Sequence, residues 1–113
     1  MTFMPSFSRH NLILVRYPFS DLSSSKVRPA VIVNGPHVSH DLMIVPITSR
    51  LAGLLPGEFI LSEWRATGLN VPSAIKRRIY TVESNLVIKL IGQLASPDAL
   101  ALDAALRSWL VIS

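Results

Sequence analysis

Short apolar segments, many of them rich in β-branched residues, recur along the whole chain and are separated by proline, glycine and other turn-forming residues. This punctuation is the strongest constraint on the fold, because eight prolines in 113 residues leave little room for long helices. Six strands are predicted from these segments, at residues 11–19, 29–34, 41–47, 58–61, 73–82 and 86–94. We expect the first strand to end at Pro18, a mobile polar loop to follow at 20–27, and Pro46 to put the end of the third strand at a sheet edge or bulge.

One helix is predicted, at the C-terminal end of the chain. Ser96 is a favourable N-cap, Pro97 suits the first helical position, and Asp98 suits the positive end of the helix dipole. Asp103 and Arg107 are expected to pair across one turn of this helix. An apolar stripe at helical spacing consists of Leu102, Leu106, Trp109 and Leu110.

Between the fourth and fifth strands we expect one short helical turn, with Ser62 as its cap and Gly68 as its end. A series of short strands without long helices between them favours a mainly β fold, a small antiparallel barrel with a C-terminal helix, over a doubly wound sheet. The length fits a single domain over residues 1–113, and a hydrophobic content of 50% is too high for a disordered chain.

The composition narrows the classes of function. The chain has no cysteine, which excludes disulfides and zinc–thiolate sites. His10, His37 and His40 lack the spacing of metal ligands, so we expect no metal and no other cofactor. No apolar run reaches the roughly 18 residues of a membrane helix, and no secretory signal is evident, so a cytoplasmic protein without a membrane partner is expected.

A net charge of +4 and a pI near 10.1 favour a polyanionic partner. Arg28 lies before Pro29, where an extended backbone lets its guanidinium present two parallel N–H donors to a phosphate. From spacing alone, a solvated loop arginine is the commoner role of such a residue. Thr48 and Ser49 close the third strand, where their hydroxyls can donate to a phosphate or cap the next turn.

The densest basic run is Lys76–Arg78. In a strand, alternation would send Lys76 and Arg78 to one face and Arg77 to the other, either as a solvated face or as a stripe that follows phosphates. Trp64 and Trp109 have rings that can stack on bases, although packing is the commoner role for both.

Three segments, taken together in this order and at this spacing, resemble the MazF/PemK toxin family. They are residues 11–22, residues 26–33 with the Arg-Pro-Ala-Val-Ile-Val block, and residues 45–49 with the Pro-Ile-Thr-Ser block. Three later segments are similar to the PemK-like branch of that family, namely residues 57–59, 68–73 and 86–92. The likeness extends over nearly the whole chain, from Arg9 to Leu110.

The resemblance implies an SH3-like barrel with a C-terminal helix, usually a homodimer, that acts as the toxin of a type II toxin–antitoxin system. It also implies a metal-independent, sequence-selective endoribonuclease for single-stranded RNA, whose catalytic arginine and threonine match Arg28 and Thr48. A cognate antitoxin is the expected partner, and operator DNA is a candidate partner of the two together. Further RNA contacts are expected from Lys26, Ser49, Arg50, Lys76 and Arg78.

The sequence departs from the family at the first strand, where Arg9-His10-Asn11 stands in place of the usual Arg-Gly-Asp. A permissive glycine and a carboxylate are both lost. One alternative to the active nuclease is a weakened or degenerate relative that binds only antitoxin or DNA. Another is that His10 has entered the cleft and transfers protons there. A third alternative is a non-catalytic, CcdB-like toxin of the same fold that binds gyrase through its C-terminal helix, with Trp109 and Leu110 exposed.

Overall fold

The computed structural model describes residues 7–17 and 26–113, so the end of the first predicted strand at Pro18 and most of the predicted 20–27 loop lie outside the described residues. The strands are β1 (Asn11–Tyr17), β2 (Lys26–Ile32), β3 (Asp41–Thr48), β4 (Phe59–Ile60), β5 (Ala74–Ile75), β6 (Tyr80–Glu83) and β7 (Val87–Gln93). Two 3₁₀ turns, Trp64–Thr67 and Ser84–Leu86, and one helix, α1 (Ser96–Leu110), complete the order. The predicted mainly β fold with a C-terminal helix is confirmed.

The strands form one antiparallel sheet in the order β4-β5-β3-β2-β1-β7, and β6 also pairs with β3. Across the centre, Val31 of β2 lies opposite Leu12 of β1 and opposite Val45 of β3. The pairings of the described residues leave the sheet open, with β4 and β7 at its two ends. The word barrel therefore fits this sheet only loosely.

The three central strands bury side chains on both of their faces. One core cluster, closed by α1, consists of Leu12, Val31, Val45, Ile47, Leu61, Ile75, Leu94, Leu102 and Leu106. Alternate residues of the same strands enter a second cluster, which consists of Ile13, Val15, Ala30, Ile32, Leu42, Ile44 and Val82. Burial on both faces explains why β1, β2 and β3 have nearly continuous apolar sequences.

The predicted strand at 73–82 is two strands, because β5 and β6 pair with different parts of β3. Between them the chain bends away from β3, although the amide of Lys76 still donates to the carbonyl oxygen of Pro46 at 3.0 Å. Pro46 lies inside β3, in regular register opposite Ala30, and not at the sheet edge or bulge that was predicted. A residue without an N–H fits there because the neighbour of β3 changes from β6 to β5 at this point.

The N-terminus of α1 differs from the prediction in its capping. Ala95 is the N-cap residue and makes no side-chain cap. Asp98 is buried, and its carboxylate accepts hydrogen bonds from the amide and hydroxyl of Ser62, at 2.8 and 2.9 Å, and from the amide of Glu63, at 2.9 Å. The predicted cap Ser62 is therefore bonded to the helix instead of capping its own 3₁₀ turn.

The apolar stripe of α1 packs on the first core cluster through buried Leu102 and Leu106. Trp109 is half-buried, and its indole N–H donates to the carbonyl oxygen of Gly57 at 3.1 Å. Leu110 was expected in the same stripe, but it is 54% exposed because it lies at the last position of the helix. The packed face therefore ends at Trp109.

The first 3₁₀ turn packs backbone against backbone on β7. The turn ends at Gly68, as predicted, with a φ of 94° that favours glycine. A Cβ atom on Gly68 would lie 2.8 Å from the carbonyl oxygen of Ile91, and a Cβ atom on Gly92 would collide with the carbonyl oxygen of Thr67. This contact fixes the position of the turn, and of the segment after it, relative to β7.

We expect Gly92→Ala to lower the free energy of unfolding by about 1–3 kcal/mol, because the new methyl group meets backbone that has no side chain to move aside. Chemical denaturation of the purified variant measures this loss. Gly35→Ala is the matched control, since a Cβ atom there meets nothing within 4 Å, and it should change the unfolding free energy by less than about 0.5 kcal/mol. Equal stability of the two variants would contradict the close contact.

Candidate active site

A groove of about 720 Å³ opens beside β2 and β3 and is bordered by β7 and the 68–73 segment. Its cationic lining residues are Lys26, Arg28, Lys76, Arg78 and Lys89. Its apolar lining residues are Leu14, Pro29, Pro46, Ile47, Leu69, Val71, Leu90 and Ile91. No carboxylate is among the described residues that line the groove, so its field attracts anions.

Arg28 belongs to β2 itself and not to a loop before it, because β2 begins at Lys26 and pairs with β1 from its first residue. Its backbone lies opposite Val15, and its side chain is exposed and lines the groove. One guanidinium N–H donates to the carbonyl oxygen of Val27 at 3.0 Å. A guanidinium has five N–H donors, so others remain for a ligand.

Thr48 is the last residue of β3 and lies opposite Ala74 of β5. Its hydroxyl oxygen accepts a hydrogen bond from the amide of Arg50 at 3.0 Å, which leaves the hydroxyl proton for donation. The β2–β3 ladder ends at the pair Ala30–Pro46, and Arg28 and Thr48 each lie two residues beyond it on their strands. The fold thus brings both residues to one end of this strand pair, where both line the same groove.

The Lys76 ammonium in this groove is already paired. It lies 3.2 and 3.1 Å from the two carboxylate oxygens of Glu58, whose side chain is only 2% exposed. The same carboxylate accepts hydrogen bonds from the amides of Arg77, at 3.0 Å, and Leu55, at 2.8 Å. These two backbone bonds, followed by Lys76, hold the pKa of Glu58 below its ordinary value of 4.5, so the carboxylate stays charged near neutral pH.

Arg78 lines the groove beside half-buried Tyr80, and its guanidinium donates to the tyrosine oxygen at 3.4 Å. This hydrogen bond raises the pKa of Arg78, so its charge is permanent at any physiological pH. Arg77 is exposed, and its backbone amide is bound by Glu58. Lys76 and Arg78 therefore do lie on one side, although a bend between two strands puts them there and not a continuous strand.

The other residues singled out in the sequence lie in different places. Ser49 and Lys26 line the groove, whereas Arg50 is exposed outside its lining. Trp64 packs against the first core cluster, and the guanidinium of Arg65 lies 5.0 Å from the centre of its ring.

Sequence reasoning missed two parts of the lining. Lys89 of β7 lies opposite Leu14 of β1, and it was visible in the sequence as the single charge in an apolar strand. The 68–73 segment was noted for its resemblance to the PemK-like branch, but nothing in its sequence marked Leu69, Asn70 or Val71 as lining residues, because the place of the segment depends on the glycine contact with β7.

His10 lies near α1, at the start of β1. Its φ of 74° is in the left-handed region, which glycine adopts without strain. Its amide donates to Ile32 at 2.7 Å, its carbonyl accepts from the amide of Leu94 at 3.0 Å, and its Nε2 atom lies 2.8 Å from a carboxylate oxygen of Asp103. These contacts hold in place a backbone conformation that glycine would otherwise supply.

The prediction that His10 entered the cleft is wrong, since it does not line the groove. The prediction that Asp103 pairs with Arg107 is also wrong. The carboxylate of Asp103 is instead bonded to His10 and, at 2.7 Å, to the guanidinium of Arg9.

In the part of the chain that the structure describes, no group of three or more histidine, aspartate or glutamate side chains is placed to hold a metal ion. Within those same residues, no helix is long and apolar enough to cross a membrane.

The fold and the groove together define a class of small antiparallel β-protein with a C-terminal helix and a cationic cleft at its strand ends. Over residues 8–110 the sequence matches a family model described as the PemK-like, MazF-like toxin of type II toxin–antitoxin systems. The chain therefore belongs to this toxin family, which confirms the resemblance found in its sequence.

Several solved structures share the fold. An endoribonuclease in complex with its cognate antitoxin, from a mycobacterial species, is 14% identical, with a TM-score of 0.76 and coverage of 97% of this chain and 98% of the other. The Mycobacterium tuberculosis toxin MazF-mt6 is 22% identical, with a TM-score of 0.71 and coverage of 91% and 98%. MazF from Deinococcus radiodurans is 18% identical, with a TM-score of 0.71 and coverage of 98% and 100%. No curated protein matches the sequence.

We expect Glu58→Gln to lower the free energy of unfolding at pH 7 by roughly 1–3 kcal/mol, because three charge-assisted hydrogen bonds are weakened. A carboxylate whose pKa is depressed by folding stabilises the protein above its unfolded pKa, and this contribution is lost as the pH falls through the folded value. The wild type should therefore lose stability below about pH 4.5, and the variant should lose less over the same range.

Denaturation curves at a series of pH values measure both effects. Glu83→Gln changes an exposed carboxylate at the end of β6 and is the matched control, with an expected change within about 0.5 kcal/mol. A Glu58→Gln variant whose stability follows the wild-type pH profile would show that Glu58 does not have this role.

Proposed function

We propose that this chain is an endoribonuclease toxin that binds single-stranded RNA in the groove and cleaves it with Arg28 and Thr48. The observation that carries the proposal is the convergence of these two residues on one cavity lined by five cations and by no carboxylate among the described residues. Membership of the toxin family supports it, as does the fold shared with proteins known as endoribonucleases.

In the proposed reaction the ribose 2′-oxygen attacks the adjacent phosphorus, a new bond to the 2′-oxygen forms, and the bond to the 5′-oxygen breaks. The 2′-hydroxyl loses its proton and the departing 5′-oxygen gains one, so the products are a 2′,3′-cyclic phosphate and a 5′-hydroxyl. Charge accumulates on the phosphate oxygens in the transition state, and preorganised donors at that point are the main source of acceleration.

Arg28 is assigned to this charge, because its guanidinium can bind two phosphate oxygens and remains protonated. Thr48 is assigned to hold one phosphate oxygen through its hydroxyl proton, with the Arg50 amide fixing the position of the hydroxyl. Neither residue is assigned as the base, since an arginine side chain stays protonated and is a poor proton acceptor. The groove cations supply the positive charge, so the proposed reaction needs no metal or other cofactor.

Arg28→Ala should reduce the rate of RNA cleavage by at least about 10²- to 10³-fold, which is the usual cost of removing one transition-state donor. Gel analysis of a long single-stranded RNA incubated with the purified chain and a metal chelator measures this rate. Arg107→Ala removes an exposed arginine of α1 outside the groove lining and should cleave nearly as fast as the wild type. Wild-type cleavage by Arg28→Ala would rule out this mechanism.

RNA binding should weaken steeply with salt. Four lining cations have no carboxylate partner among the described residues, and they are Lys26, Arg28, Arg78 and Lys89. If each contacts one phosphate of a single strand, the logarithm of the binding constant should fall with the logarithm of the salt concentration with a slope of about −3.

Fluorescence anisotropy with a 2′-O-methylated RNA, which cannot be cleaved by this route, measures the slope. Lys89→Ala should make the slope shallower by about 0.7, and Arg107→Ala, outside the groove lining, should leave it unchanged. An affinity that is the same at low and high salt would argue against RNA binding in this groove.

Two other functions remain as outcomes of the same cleavage assay. A degenerate family member would bind antitoxin or DNA and leave RNA intact. A CcdB-like toxin would also leave RNA intact and would bind gyrase through α1. Leu110 is exposed as that role expects, but the half-burial of Trp109 and the family match do not favour it.

The proposed partners follow from the proposed function. A second copy of the chain is the expected homodimer partner, and a cognate antitoxin is expected to cover the groove, as a family relative was solved with its antitoxin. Operator DNA is proposed as a ligand of the toxin–antitoxin pair, and cleavage of messenger RNA would place the protein in the cytoplasm.

A further inference from the structure

We propose that Asn70 is the base-reading residue of the groove and that it selects an adenine in single-stranded RNA. This inference rests on the proposed RNA cleavage and adds the choice of nucleotide to it. It concerns the groove wall formed by the 68–73 segment, where sequence reasoning had placed no functional residue.

Asn70 is exposed and lines the groove at the middle of the 68–73 segment. It is the only residue with a side-chain amide among the described residues of the lining. Within the described part of the chain, its amide has no protein hydrogen-bond partner. Both its donors and its acceptor are therefore available to a ligand.

The backbone on each side of Asn70 is held in place. The amide of Leu69 donates to the hydroxyl of Thr67 at 3.2 Å, and Leu69 packs against the first core cluster. On the other side, the buried hydroxyl of Ser73 donates to the carbonyl oxygen of Val71 at 2.9 Å. The backbone that carries Asn70 is thus held in place on both sides, and its exposed side chain extends from that anchored backbone into the groove.

The remaining polar groups of the lining are suited to other tasks. The hydroxyl oxygen of Thr48 binds the Arg50 amide, and the ammonium of Lys76 binds Glu58. The Tyr80 oxygen accepts from Arg78, and the Ser73 hydroxyl donates to the carbonyl oxygen of Val71. The other cations match phosphate oxygens, which carry no sequence information. Ser49 offers a single hydroxyl, which accepts or donates to any base and discriminates poorly.

The chemistry of the amide indicates which base it selects. An asparagine presents one donor beside one acceptor, and we assign it to the N7 edge of a purine. At that edge the amide pair matches the N7 acceptor and N6 donor of adenine, whereas guanine presents two acceptors. Val71 and Leu90, which are 49% and 52% exposed, line the same groove and offer apolar surface to the face of an unstacked base.

Mapping of cleavage sites in a randomised single-stranded RNA pool tests the proposal. The wild type should favour adenine about tenfold or more at one fixed position relative to the cut. Asn70→Ala and the nearly isosteric Asn70→Asp should still cleave the pool but lose the preference at that position. Asn85→Ala removes an exposed asparagine outside the groove lining, and it should keep the wild-type preference.

The results separate this inference from the function on which it rests. If the wild type cleaves the pool but Asn70→Ala retains its nucleotide preference, or if the preferred base at the affected position is not adenine, the assignment of Asn70 is overturned and the nuclease stands. If the wild type cleaves no RNA, both proposals fail. Asn70→Asp preserves the size of the side chain, so it gives the answer even if Asn70→Ala does not fold.

Discussion

Burial of β1, β2 and β3 on both faces is the constraint from which the rest of this structure follows. Two core clusters occupy the two sides of these strands, so a charged side chain along their middle would lose its hydration without a partner. The groove cations Lys26, Arg28 and Lys89 are accordingly exposed residues of β2 and β7 that belong to neither cluster. Arg28 and Thr48 lie just beyond the last β2–β3 pair, and the location of the groove is a consequence of where that ladder ends.

Glu58 organises the neighbouring wall. Its buried carboxylate binds two backbone amides in the 55–58 turn and the bend after β5, and it also binds the ammonium of Lys76. One carboxylate thus stabilises the bend that separates β5 from β6 and neutralises one of the five lining cations. For this reason the five lining cations do not contribute equally to the net charge of the groove. A count of basic residues in the sequence overstates that charge.

Patterns within one segment were predictable, and contacts between distant segments were not. The apolar runs gave six strands and the helix, and the Arg-Pro-Ala-Val-Ile-Val block placed Arg28 beside a strand. The split of the 73–82 strand depends on Glu58, and the bond from Asp98 to Ser62 joins elements far apart in sequence. Asn70 could not be found by pattern, because the segment that carries it is positioned by contacts outside itself.

The packing of Thr67 against Gly92 has a consequence for recognition. Main-chain atoms set the separation of these two segments, and main-chain atoms have no rotamers to exchange. The wall that bears Asn70 is consequently shaped before any ligand arrives. A flexible strand that enters this cleft would have to surrender its own conformational entropy, but the protein would surrender little, and more of the contact energy would appear as affinity.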